Sequence, residues 1–372
     1  MQRDKLAVLI IFTAAVLGVI GFEFLGKNTE IVPPAPLKPS SAGEFRGISL
    51  QLHNSDPNLP YETYVDQIAR TGANTICLVP AAYQENGTST TIFIDARKTV
   101  PNARLQKLIE RAHSKGLRVV LMPIVLLVDP GEGEWRGSIA PKNWADWWGH
   151  YDNYIMQYAY LAEAAKADVL MIGSELLTTE RQSQRWRDLI AKIRAAYRGR
   201  LSYSANWDHF RPIDWWQELD MIGMTTYHDL TGGDKPTIER LMKQWQEIKK
   251  DILSWQAKVN RKILFTEVGW PNLETCAQYP WDYTKDGKTA PRAQANCFEA
   301  FFRTWIGEKQ VAGFLVWEWR KTPWDVTSPD KDTSYVPCDK PAMDVIKKYY
   351  QYPSPSSRAA TQPAGPPGAA SP

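Results

Sequence analysis

The sequence is short of the residues that build metal and redox centres. It has only five His and four Cys in 372 residues, with no Cys-x-x-Cys or His-x-x-His spacing. That argues against a zinc site and against a metal-dependent deacetylase, which needs paired ligands. An excess of charge of one sign is lacking too. The formal net charge is +3, and Lys and Arg are scattered along the chain. A nucleic-acid partner, which asks for a basic stripe or patch, is not expected. No glycines make G-x-G-x-x-G, so the usual dinucleotide cradle is missing and no cofactor is expected.

Tryptophan, by contrast, is abundant, at 16 residues, and 44% of the chain is hydrophobic. Indole rings either fill a large core or lie flat under sugar rings, and composition does not separate the two uses. The ends of the chain differ from the middle. Arg3 and Lys5 precede an uncharged apolar run over residues 6–22 that Glu23 closes. This reads as a signal anchor or transmembrane segment over 1–25, with a cleaved signal peptide as the alternative. It puts the bulk of the chain on the periplasmic or extracellular side, with the membrane as a partner. A Pro-rich linker follows over 26–43, and a Pro/Ala/Ser-rich tail over 352–372 is expected to be disordered. Cys77 sits in an apolar run as a small core residue. One disulfide is expected among Cys276, Cys297 and Cys338, with the pairing open.

Between the ends, over 44–351, strand patterns alternate with helix patterns. Strands are expected at 47–52, 74–79, 117–127, 168–173, 201–206, 221–226, 263–267 and 312–317. Helices are expected at 61–71, 102–114, 143–165, 183–197, 213–218, 237–259, 292–307 and 342–350. Eight β-then-α units of this total length fit a single (β/α)8 TIM barrel better than an open doubly wound sheet.

In such a barrel the chemistry sits at the C-terminal strand ends. Here those ends are unusually polar and aromatic. His53 follows the first strand, and Ser174 and Glu175 close the fourth. Asn206 and Trp207 end the fifth, Tyr227 the sixth, Glu267 and Trp270 the seventh, and Trp317, Glu318 and Trp319 the eighth. Strand alternation puts Ile263, Phe265 and Glu267 on one inward face, and Val169, Met171, Gly173 and Glu175 on another. Two carboxylates facing each other cannot both ionise easily. One keeps a proton as general acid and the other is free to attack, which is the pairing that glycoside hydrolysis uses. A structural role as a cap or ion-pair partner is the competing reading for each glutamate alone.

Residues 172–176 (Ile-Gly-Ser-Glu-Leu) and 265–270 (Phe-Thr-Glu-Val-Gly-Trp) resemble the clan A retaining glycosidases, and most of all glycoside hydrolase family 113, which contains endo-β-1,4-mannanases. The resemblance spans about residues 45–350. It implies Glu175 as acid/base, Glu267 as nucleophile, Tyr227 as a hydrogen-bond donor to the nucleophile, and Trp317 as the floor under the sugar. Many clan members carry Asn where Ser174 stands, and with the shorter Ser the 2-hydroxyl contact is lost, bridged by water or supplied by Asn206. His53, Trp207, Trp270 and Trp319, with Trp135 farther out, are the remaining candidates for sugar contacts. The expected substrate is a β-linked poly- or oligosaccharide. The alternatives are a non-catalytic glycan-binding protein or a scaffold of an envelope polysaccharide system.

Overall fold

The structure, a computed structural model, describes residues 43–232, 237–320 and 331–351. The expected anchor (1–25), almost all of the linker and the C-terminal tail lie outside these residues. Among the described residues no helix is long and apolar enough to cross a membrane.

Eight parallel strands close into a barrel: β1 (Phe45–Gln51), β2 (Thr75–Val79), β4 (Arg118–Leu121), β6 (Val169–Ser174), β7 (Arg200–Ala205), β8 (Met221–Thr225), β9 (Lys262–Val268) and β10 (Val311–Val316). They run around the barrel in chain order, and β10 pairs with β1 to close it. The helices α1 (Tyr61–Ala69), α2 (Asn102–Ser114), α3 (Trp144–Ala165), α4 (Ser183–Ala196), α5 (Ile238–Val259), α6 (Pro291–Trp305) and α7 (Pro341–Tyr350) accompany the strands. Local chemistry starts several of them. Asn143 caps α3 by accepting from the Ala145 and Asp146 amides, and Pro opens α6 and α7 where no amide donor is needed.

Two expectations need correcting. The third strand, expected unbroken over 117–127, is two pieces. Pro80 and Pro123 stand side by side at the rim, where neither can donate to a ladder. Beyond them β3 (Ala81–Gln84) and β5 (Ile124–Leu127) pair as a separate two-stranded parallel ribbon. The helix expected at 213–218 is a single 3-10 turn, Trp216–Glu218. Six residues scarcely repay helix nucleation. Here the buried rings of Trp215 and Trp216 set the path instead, stacking beside Trp186 and Tyr203.

The core has two layers. Phe45, Cys77, Val120, Met171, Met221, Leu264 and Leu315 fill the barrel interior. The larger layer lies between sheet and helices, and most of the tryptophan is there. Trp147, Trp186, Trp215, Trp216, Trp245, Trp270 and Trp305 are fully buried. The expected disulfide is not formed. All four cysteines are unbridged, although the Cys276 and Cys297 sulfurs lie 3.9 Å apart.

Candidate active site

Strict alternation does not place the two glutamates; an extra residue in each strand does. In β9 the inward residue is Leu264. Ile263 and Phe265 face the helices, with Phe265 4.8 Å from Trp305 between ring centres. The inward face expected for Ile263 and Phe265 is therefore corrected. Met224 pairs with Phe265 and Thr225 with Glu267, so Thr266 is an extra residue, a bulge that resets the phase and turns Glu267 inward. In β6, Val169 and Met171 do face inward, but another bulge lies between Met171 and Ser174. Gly173 faces outward, contrary to expectation. A β-carbon there would stand 2.6 Å from the Tyr151 hydroxyl and 3.1 Å from Trp186.

Ser174 pairs with Ser204, whose hydroxyl meets that of Thr266 at 2.6 Å, so a polar shelf lies beside the glutamates. Glu175 then takes a left-handed backbone, φ 53°, a conformation costing roughly 1–3 kcal/mol for a residue with a β-carbon. Two hydrogen bonds from the chain there to β7 hold it. The Glu175 amide donates to Ser204 O at 2.8 Å, and the Leu176 amide donates to the Tyr203 hydroxyl at 2.8 Å.

The two carboxylates converge on one cation that the sequence did not single out. Arg136 Nη2 lies 2.5 Å from Glu175 Oε2 and 3.8 Å from Glu267 Oε1. Those two oxygens are therefore no farther apart than the two distances end to end, roughly 6.3 Å. Glu175 is 6% and Glu267 3% exposed, so their charges are poorly screened. Burial pushes the Glu267 carboxyl well above its ordinary range, and the neighbouring Glu175 adds to this. Arg136 and the Tyr227 hydrogen bond pull it back. Tyr227 Oη donates to Glu267 Oε2 at 2.7 Å, and burial keeps that phenol protonated. Thr226 Oγ1 donates to the Glu267 carbonyl at 2.9 Å.

The other candidates divide. Trp317 is half-buried against the barrel interior, its amide donating to Val268 O at 2.9 Å. His53 follows β1 at the same end of the barrel, half-buried. The Ser174 hydroxyl is buried with no hydrogen bond among the described residues. Asn206 donates to Asp208 at 2.9 Å and accepts from Thr225 at 3.3 Å. Trp207 is half-buried and stacks at 5.9 Å on the exposed Trp281, a ring the sequence reading passed over. Tyr335, also missed, lies 5.9 Å from the Tyr227 ring.

Two tryptophans fall outside the mouth. Trp270 is fully buried among Phe298 and Phe301 in the helix layer, so it offers no face to a sugar. Trp319 turns into that same layer, its amide donating to Ser49 O, and lines an outer groove with Gln67, Arg70 and Met343. Among the described residues no group of three His, Cys, Asp or Glu is placed to hold a metal ion.

Known proteins share this architecture. A family 113 β-1,4-mannanase superposes with a TM-score of 0.72 at 25% identity, covering 83% of this chain and 99% of its own. The family 113 β-mannanase of Alicyclobacillus acidocaldarius, solved in complex with ManMIm, gives 0.75 at 24% identity, covering 84% and 99%. The family 5 mannosidase of Rhizomucor miehei shares the fold at 0.55 and 11% identity, covering 83% and 92%. No curated protein matches the chain. The pattern of glycoside hydrolase family 113 matches residues 61–340, from the first residue of α1 to the residue before α7. On that match the chain belongs to glycoside hydrolase family 113, a family of retaining glycoside hydrolases.

Proposed function

We propose that this chain hydrolyses a β-linked mannan by double displacement. In this reading Glu267 is the nucleophile and Glu175 the acid/base, Tyr227 orients Glu267, and Trp317 floors the sugar at the cleaved bond. The supporting observation is the bound on the glutamate oxygens. That ceiling of roughly 6.3 Å lies below the ~6.5–9.5 Å that an inverting pair leaves for water, and it admits the ~5–5.5 Å of a retaining pair. The mannanase neighbours point to mannan as the first substrate to try. The apolar run at 6–22 supports a barrel tethered on the exported side of a membrane.

The test is turnover of β-1,4-mannan, β-1,4-glucan and β-1,4-xylan by the full chain, with product stereochemistry read by NMR. Mannan cleavage with retained configuration is expected. An inverted first product overturns the mechanism, and cleavage of glucan alone overturns the substrate.

Arg136 adds a condition. It pairs with Glu175, while double displacement needs Glu267 charged and Glu175 protonated. The incoming glycosidic oxygen has to take the guanidinium's place on Glu175. Arg136 also favours the charged form of Glu267, so Arg136→Met is expected to raise that pKa further. The acid limb of kcat/KM should then move up by about one pH unit, the low end for a close opposite charge. A uniform drop in rate with the limb unmoved would assign Arg136 to structure alone.

A further inference from the structure

A further buried carboxylate lies five residues beyond Glu175. Glu180 is fully buried, next to the rings of Trp186, Trp215 and Tyr203. A carboxylate is rarely buried without partners. Glu180 has two. Tyr203 Oη donates to Oε1 at 2.8 Å, and His209 Nδ1 lies 2.7 Å from Oε2. His209 is about one-third exposed and joins the buried group to solvent. Burial pushes the Glu180 carboxyl up to about 7, against the hydrogen bonds of His209 and Tyr203, which pull it down. Nothing in the proposed chemistry uses this group.

What it touches is the turn that carries Glu175. The same Tyr203 hydroxyl that donates to Glu180 accepts the Leu176 amide at 2.8 Å. That amide belongs to the peptide directly after Glu175, the residue in the left-handed conformation. A phenol proton committed to Glu180 leaves the oxygen lone pairs turned toward Leu176. The segment behind is pinned by the same neighbourhood: Trp186 Nε1 donates to Thr179 O, Trp215 Nε1 to Glu180 O, and Thr179 Oγ1 to Leu176 O.

We propose that Glu180, through Tyr203 and steadied by His209, is a positioning residue that holds the Glu175 turn in register for proton donation. The proposal rests on Glu175 being the acid/base, and it concerns that group's placement alone. A misplaced acid slows departure of a poor leaving group and leaves departure of a good one nearly untouched. A residue serving stability alone would not make that distinction.

The test compares full-length wild type with Tyr203→Phe on two β-mannosides, one with a methylumbelliferyl leaving group and one with 2,4-dinitrophenyl. A mannan-derived oligosaccharide serves as the poorest leaving group. The variant is expected to lose about tenfold in kcat/KM on the oligosaccharide, the effect of one lost hydrogen bond on a barrier. In kcat/KM, which reports the leaving-group step, the dinitrophenyl substrate should change less than about twofold, with methylumbelliferyl intermediate. Glu180→Gln keeps an acceptor for Tyr203 and should stay closer to wild type. His209→Ala, at a partly exposed position, provides the same comparison if Tyr203→Phe does not fold, with the same order of losses at smaller amplitude. Equal losses on all substrates, or no loss, overturn the positioning role. Wild type inactive on every substrate overturns the glycosidase assignment and this proposal with it.

Discussion

Glu267→Gln is expected to lower turnover on the order of 10⁵-fold, the scale reached when a covalent nucleophile is removed from a hydrolase. The amide is nearly the same size, can still accept from Tyr227, and cannot form the glycosyl ester. Residual turnover within tenfold of wild type would remove Glu267 from the nucleophile role. The same variant carries an independent stability signature. The Glu267 pKa is raised above its ordinary value of 4.5. The folded state then binds a proton that the unfolded chain has released, so this group's contribution to stability is full below about 4.5 and is lost as pH rises through the folded pKa. A neutral Gln does not pay that loss. The melting temperature of Glu267→Gln should exceed that of wild type at alkaline pH, with the gap closing toward pH 4.5. A gap that widens on acidification would show the sign to be wrong.

Glu175→Ala should be nearly as damaging, but selectively. Loss of general acid catalysis costs on the order of 10²–10⁴-fold on mannan, where the leaving sugar oxygen must be protonated. On a dinitrophenyl mannoside the first step should proceed almost normally. The glycosyl-enzyme then waits for water that no base activates, so intermediate accumulates behind an initial burst. Azide, which needs no base, should restore turnover and give a glycosyl azide of retained configuration. Rescue giving the inverted azide would exchange the two roles. No rescue, with all substrates slowed alike, would reduce Glu175 to a structural group.

How far these residues could be read from the chain depends on periodicity. The alternation of β and α patterns is long-range and redundant, so the barrel was legible even though its third strand breaks at Pro123 and the helix expected at 213–218 shrinks to a turn at Trp216. The two glutamates were legible as strand ends, but by a route the structure changes. A strict two-residue period from Leu264 would turn Glu267 away from the mouth, and the bulge at Thr266 reverses that. One inserted residue has no compositional mark. Trp270 and Trp319 failed as sugar platforms because a ring at a strand end can turn to either side of the sheet, and both went to the helix layer. Arg136 was out of reach for another reason. It stands in a Gly-rich loop after β5 with no periodic frame to say where it points.

The ribbon of β3 and β5 makes the cleft lopsided. β2 and β4, which it prolongs, lie diametrically across the barrel from β8 and β9. After β9 the chain runs into the segment bearing the exposed rings of Trp281 and Tyr283. One bank of the mouth is a hydrogen-bonded rail of main chain, and the other carries exposed flat rings. The ringed bank is loop, so its side chains can be exchanged one at a time without disturbing a strand of the barrel.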